Sequence, residues 1–269
     1  MCFDQDALPP QLPHDIPGLR IAANPDETVA EKQRITLKSA DGTEFGAYIA
    51  RPAHPNGAGI VILPDVRGLF AFYEELAARF AAAGVEALTI DYFGRTAGKA
   101  PRTGDFEYMP HVMQTKAEQI SQDVQAGIDT LRQTAGPALQ AVFTVGFCFG
   151  GSNSLLQAAN HHGLSGVISF YGPPTTNRFG GPAAIDRIAD FECPVLGLYG
   201  GADQGIPTPE VEKFDQALAA AGLQHTIIVY PDAPHSFFDR TAAQYQQESA
   251  DAWKQMLSFI AANMPKATI

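Results

Sequence analysis

The sequence predicts an α/β fold, in which one domain holds a mostly parallel sheet with helices on both faces. Short apolar runs typical of buried strands alternate along the chain with segments of helical spacing. Strands that alternate with helices usually pair in parallel, because each crossover helix covers the sheet. The chain has 269 residues, 45% of them hydrophobic and 17% charged, which suits one large core. We find no internal repeat and no interdomain linker.

The first 30 residues are rich in proline and acidic residues, and they predict an extended arm over the surface. A hairpin is expected next, because residues 33–38 and 45–50 alternate polar and apolar side chains around a turn signal at Asp41-Gly42. The globular domain is therefore expected to span residues 31–269.

Five further apolar runs predict the strands of the parallel part, at residues 59–63, 85–90, 141–145, 194–198 and 225–230. Helices are predicted between and after them, at residues 69–83, 113–134, 152–160, 208–221 and 243–262. Gly84 is placed as the glycine that ends the first helix, and Thr208-Pro209 as the cap and first-turn proline of a later one. The last helix is expected to bury Trp253, Met256, Leu257 and Ile260.

Two long segments do not fit this alternation, at residues 91–110 and 172–190. Long irregular loops in a compact domain are either functional lids or surface insertions. Both segments leave strand ends near the site proposed below, which favours lids.

Charge and cysteine content exclude several classes of partner. The net charge is −11 and no Lys/Arg-rich run occurs, so we expect neither a nucleic acid nor an anionic membrane surface as a partner. The N-terminus has no long apolar stretch, so neither a signal peptide nor a membrane span is predicted. The three cysteines, Cys2, Cys148 and Cys193, form no disulfide framework, and none has zinc-ligand spacing. We expect a cytoplasmic protein without a metal or cofactor, and we interpret His161-His162 as the frayed end of a helix.

Residues 146–151, Gly-Phe-Cys-Phe-Gly-Gly, have the pattern of a nucleophile elbow with cysteine in the central position. A strand is predicted before this pattern and a helix after it, as an elbow requires. The glycines are needed because such a turn leaves no room for Cβ atoms on either side. Cys148 would lie at a helix N-terminus, where the helix dipole favours a thiolate.

An acid and a histidine follow in the order that such a nucleophile requires. Asp203 comes just after the strand at 194–198, and His235 comes just after the strand at 225–230. Carboxyl ends of parallel strands are where α/β sheets place their ligand sites. His235 would take the thiol proton, and Asp203 would orient its ring. Asp232 is a rival to Asp203, but its place in the same loop as His235 favours a turn-forming role.

The tetrahedral intermediate of acyl transfer needs two hydrogen-bond donors for its oxyanion. Elbow geometry assigns one of them to the backbone N–H of Phe149, the residue after the nucleophile. The loop at 64–68, which follows the strand at 59–63, should supply the second, and we choose the N–H of Val66.

These motifs, with Gly-Ala-Asp at 201–203 and Ala-Pro-His-Ser-Phe at 233–237, resemble the dienelactone hydrolase family of α/β-hydrolases. The resemblance extends from about residue 33 to the last helix. It implies an α/β-hydrolase fold for residues 31–269 and an ester or lactone hydrolase without a cofactor. The motifs are specific for the family but not for a substrate within it.

The resemblance implies roles for further residues. Family members often carry an acidic side chain, frequently glutamate, at the position of Asp65, where it assists deprotonation of the thiol. Aspartate is one methylene shorter, so Asp65 is either a thiol-assisting acid or a loop former. The family's namesake substrates carry a carboxylate that arginines bind, a role for which Arg95, Arg240 and Arg67 are candidates, unless they are solvated surface residues. Aromatic side chains are expected to wall the pocket or to belong to the core: Tyr92, Tyr171 and Phe237.

The sequence therefore predicts a hydrolase in which Cys148 forms a thioester with a small ester or lactone. His235, oriented by Asp203, would then activate the water that releases it. A general small-ester or thioester hydrolase with the same chemistry is the first alternative. A catalytically silent binding protein on the same scaffold is the second.

Overall fold

The computed structural model describes residues 7–13, 28–102 and 106–265. Eight strands form one sheet, in the spatial order β1-β2-β4-β3-β5-β6-β7-β8. The strands are β1 (Val29–Lys38), β2 (Glu44–Pro52), β3 (Ala58–Leu63), β4 (Glu86–Ile90), β5 (Ala141–Phe147), β6 (Gly166–Phe170), β7 (Val195–Gly200) and β8 (His225–Tyr230).

The sheet is mostly parallel, as the alternation of strands and helices predicts. Strand β2 is antiparallel to both β1 and β4, and the six strands β3 to β8 run parallel. The β1–β2 hairpin turns at Gly42, whose φ of +86° suits glycine. Strands β3 to β7 are buried along their whole length, which explains why they are continuous apolar runs.

Seven α-helices connect or follow the strands among the described residues: α1 (Ala71–Ala82), α2 (Gly94–Ala97), α3 (Met109–Val112), α4 (Ala117–Ala135), α5 (Phe149–Gln157), α6 (Thr208–Ala220) and α7 (Gln246–Ala262). The described residues also include two 3-10 helices, Gly136–Ala138 and Ala184–Asp190. The cap of α6 is Pro207 rather than the predicted Thr208. Helix α5 begins at Phe149, three residues earlier than predicted, because the chain turns into the helix directly after Cys148.

Helices cover both faces of the sheet, and alternate residues of β3 show the division. Ile60 and Ile62 pack in one core cluster with α1 and α7, while Val61 and Leu63 pack in a second cluster with α4. Helices α5 and α6 cover the β6–β7 part of that second face, around Val167. The predicted side chains of α7 are all buried, including Trp253. This arrangement confirms the α/β fold with two helical layers.

Residues 7–13 of the predicted arm have no regular structure and pack against the domain. The indole nitrogen Nε1 of Trp253 donates a hydrogen bond of 2.9 Å to the carbonyl oxygen of Pro10, and Arg79 binds that of Pro9. The remainder of the predicted arm, residues 1–6 and 14–27, lies outside the described residues. The domain boundary at residue 30 stays a prediction.

The histidine pair between α5 and β6 differs from the expected frayed end. His161 is exposed, but His162 is buried between α4 and α5. Its ring lies 2.6 Å from Gln125 Oε1 and 3.0 Å from Gln157 Oε1. Burial is the main reason that the pKa of His162 is lowered to about 4. His162 is therefore a neutral part of the helix packing.

Within the described ranges, none of the helices has the length and apolar character needed to cross a bilayer.

The buried His162 predicts acid sensitivity of the fold. The His162 imidazole is protonated near pH 6.5 in the unfolded chain, but only near pH 4 in the folded protein. The stabilising contribution is therefore fully present above pH 6.5 and is lost as the pH falls toward 4. This loss should lower the free energy of unfolding by about 2 kcal/mol as the pH falls from 7 to 5.

Urea unfolding at the two pH values, for the wild type and for His162→Gln, measures this contribution. We expect the variant to lose about 2 kcal/mol less than the wild type on acidification. His161→Gln, which changes the exposed neighbour, should behave as the wild type. Equal acid destabilisation of His162→Gln and the wild type would contradict the assignment.

Candidate active site

Cys148 lies in a sharp turn between β5 and α5, at the carboxyl edge of the parallel sheet. Its φ of 55° is a strained value for a residue with a side chain. A Cβ atom on Gly146 would collide with the Gly150 carbonyl oxygen, and one on Gly150 would collide with that of Leu63. The Cys148 N–H donates a hydrogen bond of 3.0 Å to the Phe170 carbonyl oxygen. These contacts fix the elbow that the Gly-x-Cys-x-Gly pattern predicts.

The two described cysteines have different environments. Cys148 is half-buried and occupies the cap position of α5, where the helix dipole favours a thiolate. Cys193 is buried, and burial raises the pKa of its thiol to about 12. Only Cys148 of these two is placed for reaction with a substrate.

Asp203 and His235 form a close pair at the ends of β7 and β8. His235 Nδ1 lies 2.6 Å from Asp203 Oδ2, and the other carboxylate oxygen accepts the Gly205 N–H at 2.8 Å. The Asp203 side chain is 3% exposed and that of His235 is 28% exposed. The buried carboxylate therefore holds one ring nitrogen while the imidazole stays accessible. Asp232, its sequence rival, lies exposed in the turn after β8.

A cleft of about 550 Å³ opens over these three side chains. Cys148, His235 and Asp203 all line it, together with the predicted oxyanion residues Val66 and Phe149. The structure thus brings together five of the residues that the sequence singled out.

The loop after β3, residues 64–68, is held by two buried tyrosines. The Asp65 N–H donates to the Tyr73 hydroxyl at 2.9 Å, and the Tyr92 hydroxyl donates to the Pro64 carbonyl oxygen at 2.7 Å. Gly68 ends the loop with a φ of +79°. Val66 is thereby held at the rim of the cleft.

Asp65 and Arg67 bind each other and are both buried. Arg67 Nε lies 3.0 Å from each oxygen of Asp65, and Arg67 Nη2 lies 2.6 Å from Asp239 Oδ2. Neither Asp65 nor Arg67 belongs to the cleft lining. Burial, together with the nearby Asp65 charge, raises the pKa of Asp239 to about 6, although Arg67 opposes this shift. Arg67 is thus occupied by protein carboxylates, contrary to the expected substrate role, and the Asp65 carboxylate is held by Arg67.

Arg95 also differs from its expected place. Its guanidinium donates to both oxygens of the buried Asp123, at 2.7 and 2.9 Å, and to Asp41 at 2.9 Å. These bonds hold Arg95 against α4 and the β1–β2 hairpin, away from the cleft. Arg240 lines the cleft, and its substrate-binding role stays a prediction.

Tyr92, Tyr171 and Phe237, for which the sequence left pocket wall and core both open, are buried core residues. The Tyr92 ring packs edge-on against Phe149, at 5.3 Å between centroids, and Phe237 is completely buried. Tyr171 is buried beneath the His235 ring, with 4.9 Å between ring centroids. Tyr171 thus contacts the histidine ring but does not belong to the cleft lining.

Of the two irregular segments, only 172–190 supplies described residues to the cleft. The described part of 91–110 contains α2 and α3 and does not reach it. Arg178, in segment 172–190, belongs to the cleft lining although no sequence motif marks it, and its Nη2 donates to the Gly205 carbonyl oxygen at 2.7 Å. Other lining residues were missed because no motif marks them: Ser152, Asn153, Pro173, Thr176, Asn177, Phe179, Gln204 and Ile206.

No group of three or more histidine, cysteine or acidic side chains with metal-binding geometry occurs in the part of the chain that the structure describes.

Comparisons with known proteins identify the family. Residues 45–264 match the model of the dienelactone hydrolase family. A Salmonella typhimurium protein named "putative carboxymethylenebutenolidase" is 30% identical over 236 residues, covering 84% of this chain and 86% of that protein. A Bradyrhizobium protein named "probable 2-oxo-3-(5-oxofuran-2-ylidene)propanoate lactonase" is 26% identical, covering 80% of this chain and 88% of that protein.

Solved structures give the same result. The crystal structure of a "putative dienelactone hydrolase" from Klebsiella pneumoniae superposes with a TM-score of 0.73 at 28% identity, covering 86% of this chain and 99% of that chain. The family model covers most of the chain, and the fold and the Salmonella relative agree with it. The chain therefore belongs to the dienelactone hydrolase family, and it is a hydrolase with the α/β-hydrolase fold.

Proposed function

We propose that this enzyme hydrolyses a small ester or lactone through a thioester formed on Cys148. The observation that carries the proposal is the His235–Asp203 pair of 2.6 Å, which shares one cleft with the elbow cysteine. Asp203 binds Nδ1 of the ring, which leaves Nε2 for proton transfer with the thiol and with water.

The first half-reaction acylates the enzyme. His235 takes the Cys148 thiol proton, and the sulfur attacks the carbonyl carbon of the substrate. The tetrahedral intermediate collapses when its bond to the leaving oxygen breaks, and that oxygen takes the proton from His235. A ring-opened lactone stays attached as the thioester, whereas an ester loses its alcohol.

The second half-reaction restores the enzyme. His235 removes a proton from water, and the hydroxide attacks the thioester carbonyl. The carbon–sulfur bond then breaks, and the thiolate takes back the proton. In both halves the backbone N–H groups of Phe149 and Val66 are our candidates for the oxyanion donors. Removal of one such donor typically costs about 3 kcal/mol of transition-state stabilisation.

The cleft favours a substrate that carries a carboxylate. Arg178 and Arg240 both line it, whereas Asp203, the only acid among its described lining residues, is bound to His235. A guanidinium binds a carboxylate through paired, charge-assisted hydrogen bonds. The name of the Bradyrhizobium relative describes a lactone that bears a propanoate group. We therefore propose a carboxylate-bearing lactone as the preferred substrate.

A general small-ester or thioester hydrolase is the second candidate. The engagement of Arg95 and Arg67 by protein carboxylates favours it, because the cleft then has fewer cations than the family resemblance implies. Several apolar side chains also line the cleft, including Phe149, Phe179 and Ile206.

The close His235–Asp203 pair counts against a silent binding protein. A reducing compartment such as the cytoplasm would keep the Cys148 thiol in its reactive form.

The nucleophile is tested by alkylation with iodoacetamide at pH 7, followed by mass spectrometry. We expect stoichiometric modification of Cys148 and little of Cys193, whose buried thiol has a raised pKa. Cys148→Ala should abolish turnover in a screen of esters and lactones. Asp203→Asn should lower kcat by a factor on the order of 10⁴, because the histidine loses its oriented tautomer.

Asp232→Asn, which changes an exposed acid in the same loop as His235, is the control and should retain activity. Equal alkylation of Cys148 and Cys193, or full turnover by Cys148→Ala, would refute the proposed nucleophile.

The carboxylate preference is tested with Arg240→Gln and Arg178→Gln on paired substrates. We expect each change to lower kcat/KM by roughly 10- to 100-fold for a carboxylate-bearing lactone, since a charge-assisted hydrogen bond contributes about 1.5–3 kcal/mol. Activity on the neutral methyl ester of the same lactone should change less than about twofold.

Arg187→Gln serves as the matched control, because Arg187 lies in the same segment as Arg178 but pairs with Asp190 outside the cleft. Equal losses on the charged and neutral substrates would support the general esterase instead.

A further inference from the structure

Three buried side chains join the loop after β3 to the loop after β8. Arg67, Asp65 and Asp239 are 9%, 3% and 2% exposed at their side chains. Arg67 binds Asp65 within its own loop through Nε and Nη2. The same Nη2 atom reaches Asp239, which lies 172 positions further along the chain, at 2.6 Å. The guanidinium also stacks on the Phe70 ring, with its carbon 4.0 Å from the ring centroid.

Each joined loop carries one part of the proposed machinery. Val66, whose N–H is the candidate oxyanion donor, lies between Asp65 and Arg67, and the Arg67 N–H donates to Asp65 Oδ1 at 2.8 Å. His235 comes four residues before Asp239. The Asp239 N–H donates to the Ser236 carbonyl oxygen at 3.1 Å, in a tight turn where Ser236 has a φ of +62°. These three charged side chains, the ion cluster, thus connect the turn that carries Val66 with the turn that carries His235.

We propose that Arg67 and Asp239 are positioning residues that set the separation between the Val66 N–H and the His235 ring. This inference rests on the proposed function, which gives Val66 and His235 their roles in acyl transfer. Neither Arg67 nor Asp239 lines the cleft, so both act through the loops that they join. An error of about 1 Å in the placement of reacting groups can cost about 10²-fold in rate.

The chemistry of the cluster does not favour a purely stabilising role. One arginine faces two carboxylates, and Asp239 Oδ1 is a buried oxygen without a hydrogen-bond partner among the described residues. Buried ion pairs often contribute little net stability, because desolvation offsets their attraction. A planar guanidinium can nevertheless bind two carboxylates in fixed directions while it stacks on a ring, as lysine cannot. That geometry suits a device that fixes two loops relative to each other.

The test uses steady-state kinetics of the full chain with the best ester or lactone from the screen. Asp239→Asn removes one charge with almost no change in shape, and we expect kcat to fall about tenfold. Arg67→Met should lower kcat about 100-fold, and Arg67→Lys should recover part of that loss. KM should stay within about twofold in all three variants, since neither residue lines the cleft.

A double variant separates positioning from independent effects. If the two residues act as one unit, Asp239→Asn should have little further effect on kcat in the Arg67→Met background. Asp232→Asn, in the same loop but exposed, should match the wild type. Thermal unfolding establishes that each variant is folded at the assay temperature. If Arg67→Met does not fold, Asp239→Asn and Arg67→Lys decide the question.

The outcomes are distinguishable. If the wild type turns over and Cys148→Ala does not, the proposed function stands. Folded Asp239→Asn and Arg67→Lys with kcat within twofold of the wild type would then overturn the positioning role alone. A rise in KM with unchanged kcat would also overturn it, because that result indicates a substrate contact. If no ester or lactone is hydrolysed by the wild type, the proposed function fails and this inference fails with it.

Discussion

The site depends on a close approach of backbones around the elbow, which only glycine allows. A side chain at Gly150 would strike the carbonyl oxygens of Leu63 and Pro64, and one at Gly151 would meet that of Phe170. The first contact lets α5 begin directly against the loop that carries Val66, and the second lets it begin against the end of β6. The glycines therefore place Cys148 and also decide where two neighbouring loops lie around it.

The sequence predicts most of the fold because the periodic signals are local. The buried parallel strands are continuous apolar runs, and a motif with fixed spacing marks the elbow. Strand β6 has no counterpart among the predicted strands, since its five residues include a glycine and a serine. Asp203 and His235 could be predicted to pair because chain order and position at strand ends leave few candidate acids and histidines. The distance of 2.6 Å shows that they meet.

The arginines could not be placed from the sequence, because their partners are distant along the chain. Arg95 binds Asp123 and Arg67 binds Asp239, and no local pattern connects either pair. The protein has 29 acidic and 18 basic residues, so carboxylates are available to most guanidinium groups. An arginine near the sheet edge therefore readily forms an ion pair with a carboxylate of the protein. Residue type alone is consequently weak evidence that an arginine binds a ligand. The place of Arg178 and Arg240 in the cleft lining is stronger evidence.

The proposed nucleophile and the cleft favour the same kind of substrate. A thiol has an ordinary pKa of about 8.5, so a thiolate is a much better leaving group than a simple alkoxide. The tetrahedral intermediate formed on Cys148 would return to substrate unless the substrate oxygen also leaves easily. An enol lactone meets this condition because its leaving oxygen departs as a stabilised enolate. A helix N-terminus that stabilises the thiolate strengthens the same requirement, since it makes the sulfur a still better leaving group. As the proposed nucleophile, the cysteine would restrict the enzyme to activated esters before any contact with the rest of the substrate is made, and the proposed role of the cleft arginines would be to select among these esters by charge.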